Sequence, residues 1–291
     1  MPSNSPTPSA SGPCLYIVAT PIGNLADITL RAIDVLSRVD LIAAEDTRHT
    51  RRLLSAHGIK STLLSYHEHN EQRRTPELIA KLDQGAMIAL VSNAGTPLVS
   101  DPGYRLVSHA TARNIPVVPI PGPSAVMAAL SVGGLPTDSF TFIGFPARKK
   151  NKRLQQLKAL VGHSETLIFY QAPLRMLSFL KELMAILGDR QAVLAREITK
   201  HHEEFIRGSL SHIHTRLSGR DAVKGECTLL VRGAAEVDAP DDNHLETILR
   251  SALARNDAPL GEIVKSLARQ YKVNKNRLYE MALKIKKDGN P

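Results

Sequence analysis

In the first half of the chain, apolar residues come in short runs, three of which break off into a loop rich in glycine and proline. Residues 15–20 (LYIVAT) run into Pro21-Ile22-Gly23-Asn24, and Met87–Val91 (MIALV) into Ser92-Asn93-Ala94-Gly95-Thr96-Pro97. Residues 116–120 (PVVPI) run into Pro121-Gly122-Pro123-Ser124-Ala125, and residues 40–44 (DLIAA) into Glu45-Asp46-Thr47-Arg48. An unbroken apolar run of this length between turn residues reads as a strand buried on both faces. Between the runs the spacing becomes helical. Leu30, Ile33 and Leu36 form an apolar stripe on a helix from about Ile28, with Asp27 placed to cap it. Alternating strands and helices predict an α/β fold, a doubly wound parallel sheet over residues 14–137.

From Phe140 the strand-like runs lie closer together: 141–145, 165–170, Gln191–Arg196, 203–207 and 227–232, with helices near 152–161 and 174–187. This texture predicts a second α/β domain at 138–233 built on a mixed sheet. Residues 234–242 (AAEVDAPDD) read as a linker, and 243–291 as a small basic module of two or three helices. Residues 1–13, uncharged and rich in Ser, Pro and Thr, read as a disordered tail.

Charge adds a partner to this picture. The chain of 291 residues carries a formal charge of +9. Ten Lys/Arg against five Asp/Glu in residues 243–291 place +5 of it there. A second basic knot is Arg148-Lys149-Lys150-Asn151-Lys152-Arg153. Two such clusters point to a polyanionic partner. In the module, Ile263, Leu267, Val273, Leu278 and Leu283 read as a buried stripe that turns Lys272, Lys275 and Arg277 outward, able to grip RNA phosphates. A capping or dimerisation subdomain is the alternative. No apolar run approaches the roughly 20 residues of a membrane span, and no signal-peptide pattern opens the chain. Two cysteines make neither a disulfide framework nor a metal site, and the eleven histidines show no metal-ligand spacing, so no metal is expected and a reducing cytoplasm fits.

The chemistry concentrates in the loops. Ligands of open α/β sheets bind beyond the carboxyl ends of the strands. Ordinary strand-to-helix turns account for any one of these loops, but three together suggest one cleft lined largely by main chain. No G-x-G-x-x-G follows the first strand, and no P-loop or G-x-S-x-G elbow is present. Such a cleft suits an adenosine-bearing ligand held by backbone contacts and shape.

The strings LYIVATPIGNLADITLRAIDVL, AAEDTRHTRRLL, LVSNAGTPLVSDPGYRLV, PIPGPSAVMAALSVGGLP, FIGFPARKK, LAREITKHHEE and KGECTLLVRG closely resemble the tetrapyrrole methylase-like superfamily, and within it the branch that methylates ribosomal RNA. The resemblance runs from Leu15 to the C-terminus. It implies a homodimeric S-adenosylmethionine (SAM) enzyme with the cofactor between two α/β domains, acting on the ribose 2′-hydroxyl of a cytidine in 16S ribosomal RNA of the small subunit. It also implies cofactor contacts at Ile22 and Gly23, at Ser92, Asn93, Gly95 and Thr96, and at Ser124 and Ala125. From the second domain it implies Tyr170 or Gln171, Ala195, and Cys227 or Thr228. The family reads Ser-Asp-Ala-Gly-Thr-Pro where this chain has Asn93. Loss of a carboxylate there makes a charge-assisted bond a neutral one, so weaker cofactor binding is expected.

A ribose hydroxyl is a poor nucleophile while protonated, so a base or polarising cation helps. Asp46 with Arg48 is one candidate pair, and Glu197, with Arg196, Lys200 and Glu203, is the other. Each group reads equally well as a salt bridge or helix cap. Two other functions remain open. One is a methyltransferase for a corrin or porphyrin precursor on the same fold, and the other a non-catalytic nucleic-acid-binding protein that uses its tail as a helix-turn-helix.

Overall fold

The computed structural model describes residues 12–235, 242–255, 258–271 and 273–288. The chain divides into two compact units, 1–234 and 235–291. The first unit holds two sheets. Its first half contains β1 (Cys14–Val18), α1 (Leu30–Arg38), β2 (Leu41–Ala44), α2 (Thr47–Ala56), β3 (Leu63–Ser65), α3 (Glu71–Asp83), β4 (Met87–Val91), α4 (Tyr104–Ala112), β5 (Val117–Ile120) and α5 (Ala125–Gly133). All of the pairings in the order β3-β2-β4-β1-β5 are parallel. Side chains alternate between two apolar layers. Tyr16, Val18, Ile42, Ala44, Ala89 and Val91 face α1 and α2, whereas Leu15, Leu41, Ala43, Ile88 and Leu90 face α3 and α4. Burial on both faces is why these strands read as continuous apolar runs.

The first helix begins later than its stripe implied. Leu25–Asp27 form a short 3-10 turn capped by Asn24, and α1 is capped by Thr29, whose hydroxyl accepts from the Ala32 N–H at 3.1 Å. Asp27 lies inside the preceding turn, so it caps nothing. The three-residue strand β3 was too short to register as a period, and α2 and α3 follow it and its neighbour without strong turn signals.

The second half runs β6 (Phe140–Gly144), α6 (Lys150–Ala159), β7 (Thr166–Gln171), α7 (Pro173–Leu187), β8 (Gln191–Arg196), β9 (Glu204–Ser209), α8 (Leu210–Ser218) and β10 (Cys227–Val231). Its sheet is mixed, in the order β6-β7-β10-β8-β9, with only β6 and β7 parallel. Chain passage from one sheet to the other occurs between α5 and β6, where residues 137 and 138 lie. Leu167, Phe169, Leu194, Leu229 and Val231 pack under α7 and α8. Ile168, Val193, Ala195 and Leu230 point the other way, onto Ile22 and the α5 residues Val126, Ala129 and Leu130. Helix α5 thus belongs to the first sheet by connection and to the second by packing, which holds the loops of one against the strand ends of the other.

The second unit comprises α9 (Asp242–Arg255), α10 (Leu260–Gln270) and α11 (Lys275–Asp288). Its core is Leu245, Leu249, Val264, Leu278 and Ala282. The buried stripe falls on Val264 rather than Ile263 and on Ala282 rather than Leu283, which stays 46% exposed. Positions 278, 282 and 285 keep one helical face, and 283 lies off it. No helix among the described residues is long and apolar enough to cross a membrane.

Candidate active site

Strands β4, β1 and β5 are neighbours, so their carboxyl-end loops meet. Thr20 and Gly95 exchange both main-chain hydrogen bonds at 2.9 Å, and Thr20 Oγ1 donates to the Ser92 carbonyl at 3.2 Å. Gly95 holds φ +76°, a conformation that favours glycine. From the second sheet, the end of β7 and the start of β10 arrive in register, Tyr170 opposite Thr228 and Gln171 opposite Cys227. A cavity of about 260 Å³ lies where these elements converge.

Of the positions expected to hold a cofactor, Ile22, Gly95, Thr96, Ser124, Ala125, Tyr170, Gln171, Cys227 and Thr228 line this cavity. Gly23, Ser92, Asn93 and Ala195 are outside its wall. Gly23 faces the loop after β8, where a Cβ would sit 2.7 Å from Thr199 Oγ1 and 2.8 Å from the Ile198 carbonyl oxygen. Its lack of a side chain lets the β1 loop close on Ile198, which is itself in the wall. Ser92 Oγ donates to the Ala94 carbonyl at 3.2 Å and shapes the β4 loop. The Asn93 N–H donates to Glu45 Oε2 at 3.0 Å, while its Oδ1 is buried without a partner among the described residues. Ala195 lies in the apolar layer with Ile22 and Val126.

The expected catalytic groups sit elsewhere. Asp46 caps α2, accepting the Arg48 N–H at 2.8 Å and the Arg48 guanidinium at 2.9 Å. Those hydrogen bonds hold its carboxyl far below the usual range. Glu197 accepts the Glu226 N–H at 2.8 Å and Lys200 Nζ at 3.0 Å, and the Glu226 N–H is the main cause of its lowered pKa. Arg196 pairs with Glu204 at 3.0 Å, and Glu203 accepts the Thr199 N–H at 2.7 Å. None of these side chains lines the cavity; each is engaged in shaping a loop or a strand end.

The wall also holds Val99, Asp101, Phe145, Ile198 and Glu226, which the sequence reading passed over. Two stretches are backbone-strained. Leu98 and Ser100 flank Val99 at φ +72° and +68°, and Glu197 and Thr199 flank Ile198 at +52° and +65°. Left-handed non-glycine residues cost free energy and cluster at functional sites. Burial, then the charge of Glu45, pushes the Asp101 carboxyl up to about 6, against a hydrogen bond from the Ser92 side chain. Burial and the Asp101 charge push the Tyr170 phenol to about 12, and burial pushes the Cys227 thiol to about 11. At neutral pH the phenol and thiol therefore stay protonated. The Asp-Pro-Gly turn at 101–103, on the same loop as Gly95, is the one sequence signal that could have pointed to Asp101.

The donor set fits a nucleoside with a polar tail. Ile22, Ala94, Ala125 and Ile198 supply an apolar floor. Among the described residues Thr96 Oγ1 and Ser124 Oγ make hydrogen bonds only at 3.5 Å, which leaves both hydroxyls able to bond a ligand. Among the described residues no group of His, Cys, Asp and Glu could hold a metal ion.

The basic positions are exposed at Arg148, Lys149 and Lys150 near the start of α6, and at Lys275 and Arg277 on α11; Lys272 lies outside the described residues.

Comparison with known proteins places this geometry. The model of the Tetrapyrrole (Corrin/Porphyrin) Methylases family matches residues 14–214. A protein of Escherichia coli O157:H7 named ribosomal RNA small subunit methyltransferase I is 48% identical over 274 residues, 92% of this chain and 94% of that protein. Proteins of the same name from Micromonospora olivasterospora and Synechocystis are 46% and 45% identical, covering 91% and 94% of this chain and 85% and 99% of theirs. Among solved structures, uroporphyrin-III-C-methyltransferase from Thermus thermophilus superposes with a TM-score of 0.55 at 21% identity, covering 76% of this chain and 94% of that one. A cobalt precorrin-4 methyltransferase superposes with a TM-score of 0.55 at 17% identity, covering 78% and 97%. At that identity the likeness is one of fold. With the family model matching residues 14–214 and the sequence relatives spanning nearly the whole chain, this protein belongs to the tetrapyrrole methylase family.

Proposed function

We propose that this protein transfers the methyl group of SAM to the ribose 2′-hydroxyl of a cytidine in 16S ribosomal RNA. The observation that carries the choice of substrate is the extent of the likeness. The family model ends at residue 214, and the corrin and porphyrin enzymes cover 76–78% of this chain. The relatives named for ribosomal RNA cover 91–97% of it, a span that reaches into the basic helical unit. A small acidic tetrapyrrole needs no such unit, whereas RNA phosphates do.

In this reading the main-chain loops hold the cofactor between Ile22, Gly95, Thr96, Ser124 and Ala125 on one side and Tyr170, Cys227 and Thr228 on the other. SAM supplies a methyl carbon already activated by its sulfonium. The protein contributes position: two loops locked to each other through Thr20 and Gly95 keep a bound reactant aligned, which supplies much of the rate in a displacement of this kind. Arg148, Lys149, Lys150, Lys275 and Arg277 are the phosphate-binding positions, and a homodimer is the working form.

The test is radiolabelled methyl transfer from SAM, with unmethylated small subunits, free 16S RNA and a porphyrin precursor as parallel acceptors. Label in RNA at one alkali-resistant ribose is the expected result. Label in the porphyrin precursor alone overturns the reading, as does SAM binding without transfer to any acceptor.

A further inference from the structure

We propose that the ring of Phe145 is the platform on which the target base stacks at the mouth of the cavity, a reading that rests on the RNA substrate proposed above.

The cavity has room for one ligand. At about 260 Å³ it is no larger than the smallest pockets that enclose a single small molecule, roughly 300 Å³. A bound cofactor fills it, so the acceptor nucleotide has to lie at the rim. Most of the apolar wall is out of reach there, with Ile22 and Cys227 8% and 4% exposed. Phe145 is the exception. It lines the same cavity, and 61% of it is exposed.

The local backbone is built to put the ring in that place. Where β6 pairs with β7 the register shifts between Phe142 and Gly144, and Gly144 turns at φ +70°. An irregularity of this kind re-aims the side chains beside it. Phe142 packs into the apolar layer with Ile168 and Ala195, and Phe145 emerges at the cavity. Both rings meet Tyr170, Phe142 at 5.1 Å and Phe145 at 5.5 Å between centroids, the latter tilted by 56°. The Tyr170 hydroxyl is in turn hydrogen-bonded to the Val126 main chain. Position 144 has no space for a side chain, since a Cβ there would lie 2.9 Å from Ser100 Oγ. Phe145 is therefore backed by a fixed ring and a closed turn, while most of its own surface stays uncovered.

The residues that follow supply the charge. Arg153 is committed to structure: Nε and Nη2 donate to Glu182 at 2.6 and 2.8 Å, and Nη1 donates to the Ala147 and Arg148 carbonyls at 2.9 and 3.0 Å. The Ala147 N–H donates to Gln156 Oε1 at 3.3 Å. These bonds pin the turn after Phe145 to α6 and leave Arg148, Lys149 and Lys150 exposed. A rigid, open aromatic ring followed at once by three exposed cations matches an extruded nucleotide, whose base stacks while its phosphates meet positive charge. Stacking accepts every base, so the ring positions the nucleotide and does not select cytosine.

The experiment measures single-turnover methylation of unmethylated small subunits at saturating SAM by wild type, Phe145→Leu, Phe145→Tyr and Phe145→Trp. Leucine keeps the apolar bulk and loses the aromatic face. For Phe145→Leu the expected result is a rate at limiting subunit lower by about tenfold to a hundredfold, with a SAM Kd within threefold of wild type by calorimetry. The Tyr and Trp variants should stay within about threefold of the wild-type rate. The chain contains no tryptophan, so Phe145→Trp also places a lone fluorescent reporter at the site, and saturating SAM should leave its emission nearly unchanged. Quenching by half or more on SAM binding overturns the proposal, because the ring would then stack on the cofactor. A change in the oligomeric state of Phe145→Leu by sedimentation overturns it as well, since the ring would then lie between copies of the chain. A Phe145→Leu rate within threefold of wild type, or a Tyr variant as impaired as Leu, sinks the base site while the RNA reading stands. If wild type itself labels no RNA, it is the substrate reading that fails, and the base site with it.

Discussion

Removing the Asp101 charge should stabilise the fold, and the gain should depend on pH. In the folded protein the carboxyl is raised from 3.8 to about 6, chiefly by burial. A group whose pKa is higher folded than unfolded binds its proton more tightly in the native state. Its favourable contribution is complete below about pH 4 and is lost as pH rises through 6. Above that pH wild type bears the cost of an ionised, unpaired carboxylate, at most about 3 kcal/mol for a rise of this size. Asp101 keeps some solvent contact, so about 1–2 kcal/mol is expected. Asp101→Asn carries no charge and escapes this cost. Urea unfolding of both proteins at half-unit steps from pH 4 to 8 gives the comparison. The variant should match wild type at pH 4 and exceed it progressively to pH 8. A pH-independent difference, or a variant that becomes relatively weaker as pH rises, would refute the reasoning, since the latter is the signature of a carboxylate paired with a cation. A residue that costs stability where it stands is what a functional-site group looks like thermodynamically.

Other outcomes follow from the same geometry. Glu204 bridges Arg196 and Arg220, which lowers its pKa to about 2, the Arg220 hydrogen bond being the largest cause. Glu204→Gln should therefore cost about 1–2 kcal/mol at pH 7, with the gap narrowing below pH 4.5 as wild type loses the same bridge, measured by chemical denaturation. Gly23→Ala would drive a methyl group into Thr199 and the Ile198 carbonyl; it should part the β1 loop from the cavity wall and weaken SAM binding at least tenfold by calorimetry. Asn93→Asp adds a carboxylate where Glu45 already accepts the position-93 N–H. The side chain at 93 is not in the cavity wall, so SAM affinity measured by calorimetry should stay within about threefold of wild type. Lys275→Gln, on an exposed face of α11, should weaken RNA binding and reduce the salt slope by about one charge, leaving SAM affinity unchanged.

Strands β1, β2, β4 and β5 of the first sheet were legible in the sequence because burial on both faces writes itself as unbroken apolar runs, and their loops because turn chemistry is local; β3, three residues long, was not. The mixed second sheet was legible as runs set closer together. Much of the cavity wall followed: Ile22, Gly95, Thr96, Ser124, Ala125, Tyr170, Cys227 and Thr228 sit on segments whose ends converge at one cavity. What the chain alone left undecided was which polar groups are committed to structure. Asp46 and Arg48 look like a base and a polarising cation in a string of letters, yet they stand at the N-terminus of α2 and satisfy each other and the α2 cap. Glu197 likewise serves the Glu226 amide. Asp101 looks like one more turn residue in Asp-Pro-Gly, and only the approach of Tyr170 and Phe145 from the other sheet turns it into a half-buried carboxylate in a cavity wall. Turn and strand signals are short-range and survive in sequence; the desolvation and charge environment of a side chain are sums over groups distant along the chain, and only the tertiary structure assembles them.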